Sequence, residues 1–472
     1  MKKVFWAIIF VVAATVAVRA EPAPSIYLSG GHLVDVIRGE IYEDIGVLIT
    51  GDEITGLFFD FTYNDSRIPA DAVRVNLKGK YLIPGMLDLH VHANTKVRGI
   101  DVDMERFFKM FLAGGVTTIR AMSDDTESLV GMKLAIDSGD MEGPNLIVGS
   151  FPAFEQAPGF PKEDRTTIVN NAIEARALVR RHAYLGAEWI KFYNYGDKNI
   201  TKAVVDESHR HGRKVFGHFS TLGAAEASRL GVDSLEHTVG LLQSALNYED
   251  SISLTHIGYY RLFVLWPFVN QEKLDKTFKT LIENDTAVVP TIAIQNIVAD
   301  PKGLVRRSEH WFDLYQPEIL ATGARGVPTY NFSGTQRQWK ESILVQARHI
   351  ARFVNMGGKV GIGSDLNPAP PLVPGLSIHQ ELEYYVDGGM TPLQALRTAT
   401  INSAEILGWE KRFGSIEIGK QADIVAIGGN PLMEIKEVYN VDTVIKAGRV
   451  YVVEELKDEM RNSSVIEKSG AE

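Results

Sequence analysis

The stretch Leu82-Ile83-Pro84-Gly85-Met86-Leu87-Asp88-Leu89-His90-Val91-His92 decides the fold. After the Pro-Gly pair, a mostly apolar run from Met86 reads as a short buried strand, and it ends in two histidines one residue apart. Side chains alternate along a strand, so His90 and His92 point to the same side. Alone, a His-x-His pair is a common coincidence. Its meaning depends on what the rest of the chain brings to the same place.

Seven further apolar runs of strand length follow, at 117–122, 145–150, 189–194, 214–219, 234–239, 287–292 and 359–365, alternating with helical stretches. Eight strand–helix repeats predict an α/β fold, a (β/α)8 TIM barrel. An open doubly wound sheet would usually carry a glycine-rich phosphate loop after its first strand, and none is present. In such a barrel the C-terminal ends of the strands form the active-site mouth.

Three more of those ends carry metal-ligand chemistry. Lys214-Val215-Phe216-Gly217-His218 and Ser234-Leu235-Glu236-His237 each end in histidine, and Gly361-Ile362-Gly363-Ser364-Asp365 ends in a carboxylate. For any one of them, a satisfied core histidine is the ordinary explanation. Four of the chain's 12 histidines and one aspartate gathered at the same rim are not explained by packing. Neutral imidazole and carboxylate suit Zn²⁺ and related divalent ions. Lys191, in Trp189-Ile190-Lys191-Phe192, is a sixth member, because a charged amine inside an apolar strand is costly unless paired or chemically altered. Burial beside metal makes the amine neutral and nucleophilic toward CO2, and the resulting carbamate would bridge two ions; a salt bridge to a neighbouring acid is the plain alternative.

The chain has 472 residues, enough for a barrel of roughly 250 residues and a smaller domain. Its 49 basic and 59 acidic residues give a net charge of −10, which argues against nucleic acid as a partner. With no cysteine, disulfides, thiolate metal sites and cysteine nucleophiles are excluded. Residues 1–20 read as an export signal: Lys2 and Lys3, an apolar run at 4–18, and the cleavage pattern Val18-Arg19-Ala20. The run is shorter than the roughly 20 residues that span a bilayer. The expectation is cleavage near Glu21, no stable membrane anchor, and a periplasmic or secreted product.

Short strands at 46–50, 53–58 and 72–77 match others at 423–427, 443–445 and 450–453. They predict a small β-sandwich domain built from both termini, 21–83 plus 416–472, around a barrel at 84–415. The tail after Glu454 is polar and reads as frayed. Thr391 as N-cap, Pro392 at the first position and Gln394 completing a capping box predict one helix through Leu396, Ala399, Ser403 and Ile406, stopped by Gly408. The long connections at 240–286 and 293–358 lie at the catalytic rim. Their Tyr259, Tyr260, Trp266, Phe268, Trp311 and Tyr315 either wall a pocket or pack the insertions.

The run at 82–92 resembles the opening signature of the amidohydrolase superfamily. Ala113-Gly114-Gly115-Val116-Thr117-Thr118-Ile119-Arg120 resembles its second strand, and Gly419-Lys420-Gln421-Ala422-Asp423-Ile424-Val425 its closing segment. The similarity runs over residues 25–453. Gly186-Ala187-Glu188-Trp189-Ile190-Lys191 and Gly231-Val232-Asp233-Ser234-Leu235-Glu236-His237 resemble the imidazolonepropionase-like and prolidase-like (Xaa-Pro dipeptidase-like) branch. The resemblance implies two divalent ions, zinc being the expected metal. It places His90, His92 and Asp365 on the more buried ion, His218 and His237 on the second, and Lys191 as a carbamate bridging both. Relatives in this branch often carry a second histidine two residues beyond the strand-five ligand; here that position is Ser220, a departure that leaves the ligand set intact and bears on the branch's substrate preference.

The implied reaction is attack of a metal-bound hydroxide on an amide carbonyl, with Asp365 passing the water proton to the leaving amine. The expected function is an exported dipeptidase of prolidase-like type acting on a C–N bond. The alternatives are a hydrolase of cyclic amides, N-acyl amino acids or xenobiotic esters, and, remotely, a non-catalytic barrel that only binds. The expected partner is a small dipeptide or amide, and a homo-oligomer stays open. Arg120, at the end of the second strand, is the candidate holder of a substrate carboxylate, with a local acid such as Asp124 or Asp125 as its alternative partner.

Overall fold

The computed structural model describes residues 25–59, 66–122, 125–150, 153–155, 167–193, 196–246, 259–323 and 334–469. The export signal expected at 1–20 lies outside the described residues. Among them, no helix is long and apolar enough to cross a membrane.

The centre of the molecule is α/β with parallel sheets. Strand Met86–His92 pairs with Val116–Met122, which pairs with Asn145–Val148. A second parallel ladder runs through Trp189–Tyr193, Lys214–His218, Ser234–Glu236 and Ala287–Val289. Single parallel bridges join Gly149 to Trp189, Val288 to Val360 and Val91 to Leu366. The hydrogen-bonded order therefore follows the chain and comes back to its first strand. Two short strands absent from the sequence reading, Ala153–Glu155 and Thr167–Val169, extend the second ladder beside Trp189–Tyr193.

The eighth expected strand is not regular. Segment 359–366 forms isolated bridges at Val360 and Leu366 instead of a continuous ladder, although its backbone is laced to both sides. Gly361 N donates to Val288 O at 3.0 Å, Leu89 N to Ile362 O at 2.9 Å, and Asp365 N to His90 O at 2.8 Å. Gly363 permits the approach, since a Cβ there would lie 2.7 Å from both His90 Cβ and Val289 Cγ1. The strands expected at 234–239 and 287–292 also stop early, at Glu236 and Val289. His237 and Thr291 take φ of +60° and +51°, uncommon for residues with a side chain, and turn the chain out of the ladder.

The two ends of the chain build one eight-stranded ladder. Ser25–Asp35, Glu40–Thr50, Glu53–Phe58, Val73–Asn76 and Tyr81–Pro84 join Ile424–Ile427, Val441–Lys446 and Arg449–Val452. The antiparallel pairing of Tyr81–Pro84 with Ile424–Ile427 stitches N-terminal to C-terminal sequence, immediately before Met86 opens the central strand order. Leu28, Leu33, Val47, Ile49, Ile424 and Ile445 are buried together between its strands. Buried Asp423 ties this sheet to the centre: it accepts from Asn145 Nδ2 at 2.7 Å and Ala447 N at 2.8 Å.

Two helical expectations are corrected. The capping box at Thr391 is present, but the helix it starts ends at Thr398, and a second runs Ile401–Leu407 to a left-handed Gly408. Ala399 O is taken by Leu87 N at 2.8 Å, and the Thr398, Thr400 and Ser403 hydroxyls bond local carbonyls, so the backbone ladder is interrupted there. The tail is not frayed: Val453–Ser469 is a helix. Its Val453, Leu456 and Met460 recur at helical spacing and are buried, and Glu459 reaches Lys109 at 2.7 Å on helix Met104–Ala113. Of the rim aromatics, Trp266, Trp311 and Tyr315 belong to the buried core and Phe268 is exposed; the Tyr259 and Tyr260 side chains lie outside the described residues.

Candidate metal centre

Six side chains from five separate segments meet at one end of the parallel strands. His90 and His92 come from the first strand, Lys191 from Trp189–Tyr193, His218 from the end of Lys214–His218, His237 just past Ser234–Glu236, and Asp365 from the irregular segment at 359–366. All are buried except His92, whose side chain is 20% exposed and marks the open edge. His237 and Asp365 reach inward from positive φ of +60° and +53°. Gly217 lets His218 close in, since a Cβ at that position would fall 1.7 Å from Phe192 O.

The nitrogens and oxygens face one another. His218 Nε2 lies 2.7 Å from His237 Nε2, and Lys191 Nζ lies 3.2 Å from His218 Nε2 and 3.3 Å from His90 Nε2. Asp365 Oδ1 is 3.1 Å from His92 Nε2 and 3.4 Å from His90 Nε2. Two triads have ligand atoms within 4.8 Å of one another: His90, His218 and His237, and His90, His92 and Asp365.

Burial favours the uncharged bases. It drives His90 and His218 well below the usual imidazole range, with Lys191 adding to the effect, and takes His237 down to about 3. Burial lowers Lys191 from 10.5 to about 7, against the opposing pull of Glu236 and Asp365. For Asp365 burial pushes upward, but His237, His92 and Lys191 outweigh it and hold the carboxyl below its usual value.

This donor set fits a divalent cation. Two buried imidazole nitrogens aimed at each other compete for one proton, and a shared cation satisfies both lone pairs at once. Nitrogen and carboxylate donors without thiolate suit zinc and its neighbours.

Groups to which the sequence reading gives no role hold these side chains. Glu236 Oε2 lies 2.5 Å from His90 Nδ1, and Thr291 Oγ1 lies 2.6 Å from His237 Nδ1. Asp88 accepts from Ser364 Oγ at 2.6 Å and from His90 N at 3.1 Å, tying the first strand to the segment that carries Asp365. Burial raises the Asp88 carboxyl to about 7. The signal that singles out Lys191, an ionisable group inside an apolar strand, is equally present at Asp88 and Glu236.

Arg120 is not at the mouth, where the sequence reading expects it. Its side chain has no exposure; Nε donates to Leu89 O and Nη2 to Glu236 Oε1, both at 2.7 Å. The guanidinium lies 4.6 Å from the Trp189 ring centroid and 4.2 Å from that of Phe216. It sits beneath the cluster instead of at the mouth, and its acidic partner is neither local candidate. Asp125 caps helix Thr126–Ser138, and Asp124 lies outside the described residues.

The model of the amidohydrolase family matches residues 81–451. The chain belongs to the amidohydrolase family. This amidohydrolase is 34% identical to the imidazolonepropionase of Geobacillus kaustophilus (strain HTA426) over 113 residues, 23% of this chain and 26% of that one. The match thus spans about a quarter of that curated relative's length. It is 23% identical to the ochratoxinase of Aspergillus niger over 328 residues, 65% of this chain and 55% of the relative. Among solved structures it is similar to a Xaa-Pro dipeptidase with bound methionine in the active site. There the TM-score is 0.65 and the identity 23%, covering 91% of this chain and 100% of the other. That likeness, with the family match, shows a TIM-barrel-like α/β fold.

Proposed function

We propose that this chain is a metal-dependent hydrolase that cleaves a C–N amide bond, with a dipeptide as the leading substrate. We read residues 84–415 as a (β/α)8 barrel and 21–83 plus 416–472 as a small composite β-sandwich domain. The observation that carries the function is the convergence of His90, His92, Lys191, His218, His237 and Asp365, each within 3.4 Å of at least one other.

In this reading His90, His92 and Asp365 would hold one divalent ion and His218 and His237 a second, with Lys191, as a carbamate, supplying a further anionic ligand. Zinc is the metal the donors favour. When bound, such an ion lowers the pKa of water toward ~7 and polarises a carbonyl oxygen. The protein's own task is orientation and proton movement. The Asp365 carboxylate takes the proton from the attacking water and delivers it to the nitrogen that leaves. His92, at the open edge, marks where substrate enters. The residues at 1–20 are proposed to export the protein to a periplasmic or extracellular space.

A second reading, hydrolysis of a cyclic or uncharged amide, draws support from Arg120. Its Nε and Nη2 are bonded to Leu89 and Glu236 and it is fully buried, which favours a substrate that brings no free carboxylate for it. The test is a screen of zinc-loaded enzyme against dipeptides, N-acyl amino acids and lactams. The proposal predicts turnover of dipeptides that is lost on chelation and regained with zinc. Turnover confined to lactams selects the second reading, and no turnover of any amide rejects both.

A further inference from the structure

Directly beneath the histidine cluster lies a layer of buried charge that the proposed reaction does not use. We propose that Glu236 is a positioning residue that fixes the tautomer and orientation of His90, and that Arg120 holds Glu236 in place. This rests on the metal reading above and assigns the group that makes it work at His90.

The geometry is specific. An ionised carboxylate only accepts hydrogen bonds, so at 2.5 Å from Glu236 Oε2 the proton of neutral His90 sits on Nδ1. The lone pair is then left on Nε2, the atom that faces Lys191 Nζ at 3.3 Å and Asp365 Oδ1 at 3.4 Å. The other carboxylate oxygen, Oε1, accepts from Arg120 Nη2 and from Ser234 Oγ, each at 2.7 Å. Arg120 also donates to the carbonyl of Leu89, the residue before His90. It therefore grips both the strand that carries the imidazole and the acid that orients it. The rings of Trp189 and Phe216, nearly perpendicular to each other, both pack against its guanidinium. Glu236, Arg120, Ser234 and His90 are all 2% exposed or less, so bulk water does not compete for these bonds. A buried carboxylate without its cation would be strongly destabilising, which explains an arginine deep inside the strands. Partners of this kind orient metal-binding histidines generally.

The test uses the full-length protein. In metal-free wild type labelled with ¹⁵N-histidine, His90 is expected to carry its proton on Nδ1; a proton on Nε2 overturns the inference without requiring any variant to fold. Glu236→Gln keeps the shape and removes the charge. It should weaken zinc binding by ~10–100-fold and shift the visible spectrum of bound Co²⁺. Arg120→Met should act in the same direction. Zinc affinity and Co²⁺ spectra identical to wild type in both variants overturn the positioning role while leaving the metal reading intact. Wild-type protein that binds neither zinc nor cobalt overturns the metal reading, and this inference with it.

Discussion

His218 and His237 face each other nitrogen to nitrogen, Nε2 to Nε2 at 2.7 Å, with Lys191 Nζ 3.2 Å from the first of them. Three buried bases facing one another form an arrangement that a bound cation completes.

Lys191 is expected to act as an anionic bridge. Lys191→Ala should lower activity at least ~100-fold, the upper end of what loss of even a supporting group removes from a metal site. A short carboxylic acid should restore part of it. Burial takes the Lys191 amine to about 7, so its neutral, CO2-reactive form is depleted as pH falls through that value. Activation of the metal-loaded enzyme by bicarbonate should weaken in the same direction. Full activity of Lys191→Ala would remove the bridge from the account.

Arg120 is expected to serve the interior and not the substrate. Arg120→Lys keeps the charge but loses the planar fork that spans Leu89 and Glu236. The kcat/KM values for a dipeptide and for an uncharged amide should fall by the same factor. A loss confined to the dipeptide would return Arg120 to the carboxylate-binding role.

His379 gives a pH dependence away from the metal centre. Its Nε2 lies 2.9 Å from Gly114 O, and burial lowers its pKa from 6.5 to about 4. Its Nδ1 is buried with no hydrogen-bond partner among the described residues, so the charged form is poorly accommodated. Between those two values the unfolded chain binds the extra proton and the folded chain does not. Stability contributed by neutral His379 is therefore full above 6.5 and is lost as pH falls toward 4, by about 3 kcal/mol. His379→Gln keeps a donor for Gly114 O and cannot titrate. Urea unfolding of metal-free protein at pH 7 and pH 5 should show a smaller acid loss for the variant; equal losses would contradict this assignment.

Much of the site is legible in the sequence because its residues sit at the ends of short apolar strands, where position along the chain predicts position at the rim. His90, His92, His218, His237, Asp365 and Lys191 all meet there. What is not legible depends on partners far away in sequence. Glu236 stands next to His237, yet its role is defined by His90, 146 residues distant, and by Arg120, 116 residues distant. The same separation explains Arg120, since nothing local reveals that its acid lies on another strand. In the fold, the irregular segment at 359–366 takes its path from hydrogen bonds to Val288 and His90, contacts that strand propensity does not encode. The helix Val453–Ser469 has a polar sequence with few apolar residues, and it is the burial of Val453, Leu456 and Met460 and the Glu459–Lys109 contact that hold it.

The central claim is that the histidine cluster holds divalent metal and that hydrolysis depends on it. The most direct measurement is elemental analysis of the purified full-length protein and of His237→Ala, paired with amide hydrolysis before and after chelation. The account predicts up to two divalent ions per chain, zinc foremost, with metal content and activity both falling sharply in His237→Ala. Wild-type protein without bound metal, and without any gain in activity from added zinc, manganese or cobalt, would contradict it.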